Sequence, residues 1–196
     1  MEERVIRQGF AADQASAVAT LAAAFQNDPA FCWMIPDAAI RAKKLVPFFR
    51  LIVREDLAAG KLLTSDSIEV ATLWRAPMRH KELPLGLWRS NFAFLRIFGW
   101  ALPRAMRVGE AMAKNHPNTP HWYLRYAAVL PAAQGKGWGG LALRAGIDMA
   151  EADGLPIYLE TASADNVSLY QRFGFTVTAE WDVAGGGPHF WSMLRD

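Results

Sequence analysis

The sequence predicts a mixed α/β fold of the α+β kind, built as one domain over residues 1–196, on three observations. Apolar segments with strand-like period alternate with segments of helical period along the chain. After residue 121 the alternation becomes regular: a strand–helix–strand unit, a short helix and two more strands. No Pro-, Ser- or charge-rich stretch marks a boundary, and 196 residues with 52% hydrophobic and 20% charged content suffice for one full core.

In chain order, Val5 and Ile6 suggest a short first strand. Asp13 stands where an N-cap belongs, ahead of Val18, Leu21, Ala22 and Phe25, whose i, i+3, i+4, i+7 spacing makes one helix face. A second helix is expected over residues 40–57, stopped by Gly60. Residues 62–64 and 68–74 flank Ser65-Asp66-Ser67 and read as a hairpin. Residues 83–114 carry a long helical pattern broken near Pro103, and the stretch from Asn115 to Pro120 ends it. Residues 122–130 then form an apolar strand, and 138–153 a helix with Leu143, Ile147 and Ala150 on one face, closed by Gly154 and Pro156. A strand at 157–161, a short helix at 165–173 closed by Gly174, and strands at 175–183 and 189–194 around Gly185-Gly186-Gly187-Pro188 complete the chain.

Composition excludes several classes. A formal charge of +2 with scattered Lys and Arg gives no nucleic-acid footprint. The single cysteine, Cys32, cannot form an internal disulfide, and no Cys/His cluster has metal-ligand spacing; a reducing compartment, no metal and a small buried Cys32 are expected. The first seven residues lack a secretory pattern, which implies a cytoplasmic protein. Residues 83–102 are apolar enough to suggest a membrane span, but Arg89, Asn91 and Arg96 interrupt them and Pro103 ends them, so a buried or groove-lining helix is expected and no membrane partner.

The most specific signal is Gln134-Gly135-Lys136-Gly137-Trp138-Gly139-Gly140, which follows an apolar strand and opens a helix. Glycines there uncover backbone N–H groups at the positive end of a helix dipole, where a phosphate-bearing ligand can sit. A P-loop needs a hydroxyl residue after the Gly-Lys pair, and Gly137 stands there instead. A dinucleotide fingerprint is formally present as Gly135, Gly137 and Gly140, with Glu160 about twenty residues on. Against it, Pro131-Ala132-Ala133-Gln134 separates the glycines from the strand, and only 36 residues follow Glu160, too few for the second half of that fold. A glycine turn that merely packs helix on strand remains a further reading.

Taken together, a strand ending Val129-Leu130-Pro131, the Gln134-x-x-Gly137-x-Gly139 loop, the strand Tyr158-Leu159-Glu160-Thr161, and Asn166-x-x-x-Tyr170-x-x-x-Gly174-Phe175 resemble the GCN5-related N-acetyltransferase (GNAT) superfamily over residues 121–195. Within it, the Leu159-Glu160-Thr161 run, the Arg172–Thr178 run and the ending Gly187-Pro188-x-x-Trp191-x-Met193 look like the puromycin N-acetyltransferase branch. The resemblance implies a central, mostly antiparallel sheet splayed at two parallel strands, flanked by helices, with a helical insert at about 83–116. Acceptor-side elements would lie mainly in 1–116 and the acetyl-CoA-binding core in 121–196.

The resemblance also implies acetyl-CoA as co-substrate. Its pyrophosphate would rest on backbone N–H groups of Gly135, Lys136, Gly137, Trp138, Gly139 and Gly140 beside Gln134, and its pantetheine arm on backbone groups of Ala127, Ala128 and Val129, one of which could polarise the thioester carbonyl. Lys136 would add charge at the rim or stand solvated. Tyr170 can hold a proton for the departing thiolate, since phenols have a pKa near ~10 and thiols near ~8.5, and Asn166, one turn earlier, would reach the pantetheine arm. Packing of Tyr170 as a core residue beside Phe173 is the plainer alternative. Glu160 could take the amine proton, directly or through water; otherwise the base is a water chain or a group in the N-terminal half, with His116, His121 and His189 as further candidates by chemistry. No nucleophile with a partnered base stands out, which favours direct attack in a ternary complex.

The acceptor, a small-molecule amine, is expected to meet aromatics from Phe25, Phe31, Trp33, Trp74, Trp88, Phe92, Phe94 and Trp100, with Asp28 or Asp37 attracting a cation. The apolar insert could instead serve a homodimer. A non-catalytic acyl-CoA sensor with the same fold is the alternative from another functional class.

Overall fold

The computed structural model describes residues 4–77 and 87–196, with residues 87–91 described through their backbone alone. The expected start of the helical insert at Leu83, and the side chains of Trp88, Arg89 and Asn91, therefore lie outside the described residues.

Among the described residues seven strands make one sheet: β1 (Arg7–Gln8), β2 (Lys61–Thr64), β3 (Val70–Arg75), β4 (Trp122–Val129), β5 (Ile157–Thr161), β6 (Thr176–Asp182) and β7 (His189–Arg195). Their spatial order is β1-β2-β3-β4-β5-β7-β6, and every neighbouring pair is antiparallel except β4 with β5. Helices α1 (Gln14–Ala24), α2 (Pro29–Met34), α3 (Ala38–Ala59), α4 (Leu87–Phe98) and α5 (Leu102–Asn115) pack on one face around Leu21, Phe31, Phe49, Phe98 and Val108. Helices α6 (Trp138–Glu151) and α7 (Ala164–Gln171) cover the other face around Leu143, Ile147 and Tyr170. The mixed fold with one parallel strand pair is as the sequence implied.

Local chemistry sets the helix starts. The Asp28 carboxylate accepts from the N–H groups of Ala30 (3.0 Å) and Phe31 (3.1 Å), with Pro29 in the first turn of α2. Asp37 accepts from Ile40 N (2.8 Å) at the start of α3. Asp13 departs from expectation. It stands at the N-cap position of α1 but gives no side-chain cap; its carboxylate accepts instead from Phe10 N (2.8 Å) and from Arg7 Nη1 (2.8 Å). The Arg7 bond is the main reason its pKa falls to about 2. Arg7 also binds Asp66 (2.6 Å), and the first strand lies at Arg7–Gln8, paired with Thr64 and Leu63, rather than at Val5 and Ile6. Pro103 sits in the first turn of α5, where its missing N–H costs nothing, so it opens the second insert helix; the break lies ahead of it, at Gly99–Ala101. Cys32 is half-buried rather than fully enclosed.

Two features of β4 position the site. Its register against β3 shifts between Leu73↔Tyr126 and Trp74↔Leu124, so Arg125 is an extra residue, a β-bulge. Trp122 and Leu124 face α6, and strict alternation would send Tyr126 there too; the bulge turns Tyr126 and Ala128 to the opposite face. Secondly, β4 and β5 pair only at Trp122↔Ile157 and Tyr123↔Tyr158, then part.

The bulge is tied to α3. Asp56, fully buried, accepts from Arg75 Nε (2.6 Å) and from Arg125 Nη1 (3.1 Å to Oδ1, 3.2 Å to Oδ2). The opposite face is set by close approach. A Cβ on Gly146 would lie 2.0 Å from Trp74 Cζ2, so α6 rests directly on the indole.

Two outcomes are expected in thermal denaturation. Gly146→Ala should lower stability by about 1–3 kcal/mol through overpacking, a fall of about 2–4 °C in Tm per kcal/mol for a chain of this size. Asp56→Ala, which strips two guanidinium groups of their shared carboxylate, should cost about 3 kcal/mol, with Glu55, 3.4 Å from Arg75 and 3.6 Å from Arg125, offsetting part of the loss. An unchanged Tm in either variant would contradict the corresponding packing.

Candidate active site

Where β4 and β5 part, the sheet opens into a cavity of about 210 Å³. Its walls come from both faces. Phe25, Phe31 and Phe48 line it from α1 to α3, Phe94 and Phe98 from α4, and Val108 and Met112 from α5; Leu124, Asn166 and Tyr170 belong to the α6–α7 side. Tyr126, turned inward by the bulge, meets Phe25, Phe48 and Phe49 edge-on with centroids 5.5, 6.3 and 5.2 Å away. Burial pushes its phenol up to about 12.

Two carboxyl groups enter this apolar chamber, Asp28 and Glu160. Burial raises the Asp28 pKa, against the two helix N–H groups that favour its charge. Glu160 alternates with Leu159 and Thr161 on β5, and its side chain is 1% exposed. Oε1 lies 3.4 Å from His116 Nδ1, while Oε2 is buried with no hydrogen-bond partner among the described residues. His116 Nε2 lies 3.1 Å from His121 Nε2, and His121 Nδ1 is 2.7 Å from the Thr119 carbonyl. Burial lowers the His121 pKa. Tyr123 and Tyr158 flank this group, and both phenols are raised, first by burial and then by the Glu160 charge.

Tyr170 is 8% exposed, with its ring 5.9 Å from Phe175. Burial first, then the Asp28 charge, raises its hydroxyl to about 12, so it holds its proton throughout the neutral range. Asn166, one turn earlier, reaches Thr161 Oγ1 at 3.5 Å. The structure thus brings Glu160, Asn166, Tyr170 and Ala127 to one cavity.

The glycine loop lies beyond the cavity, past the end of β4. Pro131–Ala133 form a 3-10 turn, and the exposed run Gln134, Gly135, Lys136, Gly137 leads into α6. Gly137 has φ 85°, a left-handed conformation that disfavours a side chain, and its carbonyl accepts the first helical bond, from Leu141 N (3.1 Å). The N–H groups of Trp138, Gly139 and Gly140 precede that bond and have no partner within the helix. Gly139 packs on Val129, whose carbonyl accepts from Gln134 Nε2 (3.4 Å), and Lys136 Nζ donates to the Ala132 carbonyl (2.9 Å). Ala128 is buried toward α1 and α3. Sequence reasoning missed Arg4, whose guanidinium donates to the Lys136 carbonyl and lies 5.8 Å above the Trp138 ring. No local pattern marks a contact between residues so distant in the chain.

Other expected positions fall elsewhere. Trp74 is core, Phe92 and Trp100 are 70% and 58% exposed, and Trp33 lies under Arg104 at 5.6 Å. His189 sits on the β6–β7 hairpin between Asp182 (2.9 Å) and Glu180 (3.2 Å), which raise its pKa, and Asp37 is a helix cap. Among the described residues no group of His, Cys, Asp and Glu could hold a metal ion, and no helix is long and apolar enough to cross a membrane.

Known proteins share this arrangement. An uncharacterized N-acetyltransferase of Schizosaccharomyces pombe is 29% identical over 178 residues, covering 84% of this chain and 71% of its own. A crystal structure of histone acetyltransferase HPA2 and related acetyltransferase from Corynebacterium glutamicum is 31% identical, with TM-score 0.74, over 98% of this chain and 95% of that one. Arylalkylamine N-acetyltransferase 2 from Aedes aegypti has the same fold at 10% identity, TM-score 0.64, over 99% of both chains. The sequence profile of the acetyltransferase (GNAT) family matches residues 70–175, from β3 through the cavity-lining half of β4 and the glycine loop to the turn after α7. The chain is an N-acetyltransferase of the GNAT family.

Proposed function

We propose that the protein moves an acetyl group from acetyl-CoA to the primary amine of a small molecule by direct attack in a ternary complex. The observation that carries this reading is the cavity between the parted strands, which joins an aromatic chamber holding Asp28 and Glu160 to the Tyr170 side of the sheet.

The residues fit the donor. The edge of β4 facing β5 is unpaired beyond Tyr123, which leaves backbone groups near Ala127 and Val129 for the amides of a pantetheine arm. The unpaired N–H groups at the start of α6 suit a pyrophosphate, and Arg4 and Lys136 bring positive charge to the same loop. Acetyl-CoA would supply the activated acetyl group. The branch-like runs around Glu160, Phe173 and Trp191 keep the puromycin N-acetyltransferase branch as the finer affiliation, and the lone cysteine suits a cytoplasmic setting.

On the acceptor side, an ammonium is drawn to two carboxyl groups, and an apolar body is held by Phe25, Phe31, Phe48 and Tyr126. Glu160 Oε2, buried and unpartnered among the described residues, is the lone pair that takes the amine proton. Tyr170 keeps its proton and offers it where the thiolate departs.

Thermal shift with acetyl-CoA and with NAD separately tests the donor: stabilisation of about 2.7 kcal/mol is expected at one hundred times the Kd of acetyl-CoA, and stabilisation by NAD alone would sink the reading. Tyr170→Phe should cut turnover more than tenfold while leaving the acetyl-CoA shift intact; unchanged turnover removes the general-acid role. For the acceptor, coenzyme A release with 2-phenylethylamine should exceed that with benzyl alcohol, and Asp28→Asn should raise the KM for the amine several-fold. Equal KM values would remove Asp28 from acceptor recognition.

A further inference from the structure

Among the described residues one cationic residue lines the acceptor chamber, and none of the chemistry above uses it. Arg125, the extra residue of the β4 bulge, borders the cavity together with Asp28 and Glu160. Its carboxylate partners all meet one nitrogen. Nη1 donates to both oxygens of Asp56 (3.1 and 3.2 Å) and lies 3.6 Å from Glu55 Oε2. Nε and Nη2 make no hydrogen bond to any described residue. Neither is sealed off: the side chain is 19% exposed, and Glu160 Oε2 is the one buried side-chain polar atom without a partner among the described residues.

The free edge of this guanidinium is the one suited to recognition. Its Nε–H and one Nη2–H point the same way and form a fork that matches the two oxygens of a carboxylate. Asp56, fully buried, holds the group from the α3 side, so the fork is ordered before any ligand arrives and binding costs it little freedom. Of this ion group only Arg125 borders the cavity; Asp56, Glu55 and Arg75 do not. Charges of both signs share the chamber wall. The Tyr123 phenol lies in the fields of Glu160 and Arg125, and the Tyr126 phenol in those of Arg125 and Asp28, with Arg125 Cζ 5.7 Å from the Tyr126 ring centre. The cation is thus a near neighbour of both carboxyl groups. An acceptor bearing only an ammonium leaves the fork without a partner, whereas one bearing an ammonium and a carboxylate on the same carbon answers both signs at once.

We propose that the acceptor is an α-amino acid with an apolar or aromatic side chain, its carboxylate held by Nε and Nη2 of Arg125, its amine facing Glu160, and its side chain packed among Phe25, Phe31 and Phe48. The inference rests on the acetyl-transfer reading and narrows its acceptor. Arg125 takes no part in moving the acetyl group or a proton; it selects the substrate and sets its orientation. The bulge serves this role directly, since it inserts the cation into the strand while keeping Tyr126 on the chamber side.

L-Phenylalanine and 2-phenylethylamine differ only by the carboxylate, so the unaltered chain provides the first test. Coenzyme A release from acetyl-CoA should give a kcat/KM for L-phenylalanine about tenfold or more above that for 2-phenylethylamine. Equal values, or a preference for the plain amine, overturn the proposal. Arg125→Lys keeps the charge beside Asp56 but has no fork; it should raise the KM for L-phenylalanine about tenfold more than the KM for 2-phenylethylamine. A uniform change in both KM values overturns it as well. Binding is read without turnover by 3-phenylpropanoate, which has the carboxylate and no amine. It should raise the Tm of the unaltered full chain and compete with L-phenylalanine, and the absence of a Tm shift overturns the proposal even if Arg125→Lys fails to fold. If neither amine is acetylated, the acetyl-transfer reading fails, while a Tm shift with 3-phenylpropanoate that Arg125→Lys abolishes still upholds the carboxylate site.

Discussion

Everything distinctive about this protein depends on two neighbouring parallel strands that stay paired for two residues and then separate. A continuous sheet would satisfy its backbone internally and present a closed surface on both faces. Here β4 keeps its antiparallel partner β3 through Val129, so the strand remains rigid while its other edge is free. The same separation makes room for the cavity, lets residues from opposite layers meet there, and leaves the first turn of α6 open at the far end of the gap. Close packing of Gly146 on Trp74 fixes how that helix sits on the sheet, and so holds its first turn at the end of the gap.

The chamber combines apolar walls with a few ionisable groups whose properties follow from that burial. Phenols at Tyr126 and Tyr170 are raised to about 12 and stay neutral, and Asp28 is pushed upward as well. Low polarity strengthens each remaining electrostatic contact, so a single unpartnered oxygen such as Glu160 Oε2 counts for more here than it would on the surface. Half-exposed His116 lies on one side of Glu160 and the aromatic chamber on the other, so one carboxylate borders two environments.

Much of this was legible in the sequence because it is local. Strand and helix positions followed from hydrophobic period, and the glycine loop together with Asn166 and Tyr170 kept a fixed spacing that survives without the fold. What was illegible depends on residues far apart in the chain. Alternation through Trp122-Tyr123-Leu124-Arg125-Tyr126 gives no hint of a bulge whose extra residue binds a buried carboxylate on α3. Asp13 reads as a helix cap until Arg7 claims it, and Arg4 reaches a loop 132 residues away. Eight candidate aromatics could be named, but which of them face the chamber is a matter of layer packing; Phe25, Phe31 and Phe94 do, while Trp74 fills the core and Phe92 faces solvent.

The bulge at Arg125 also bears on which changes of chain length this fold tolerates. An exposed loop outside the sheet can gain or lose a residue with only local adjustment. Removal of Arg125 is different in kind, because each side chain after it along β4 exchanges faces: Tyr126 and Ala128 turn toward α6, and Ala127 toward the aromatic layer. Among relatives, gaps in this strand should therefore be confined to its ends, and any chain lacking the extra residue must have built its acceptor chamber from a different set of side chains.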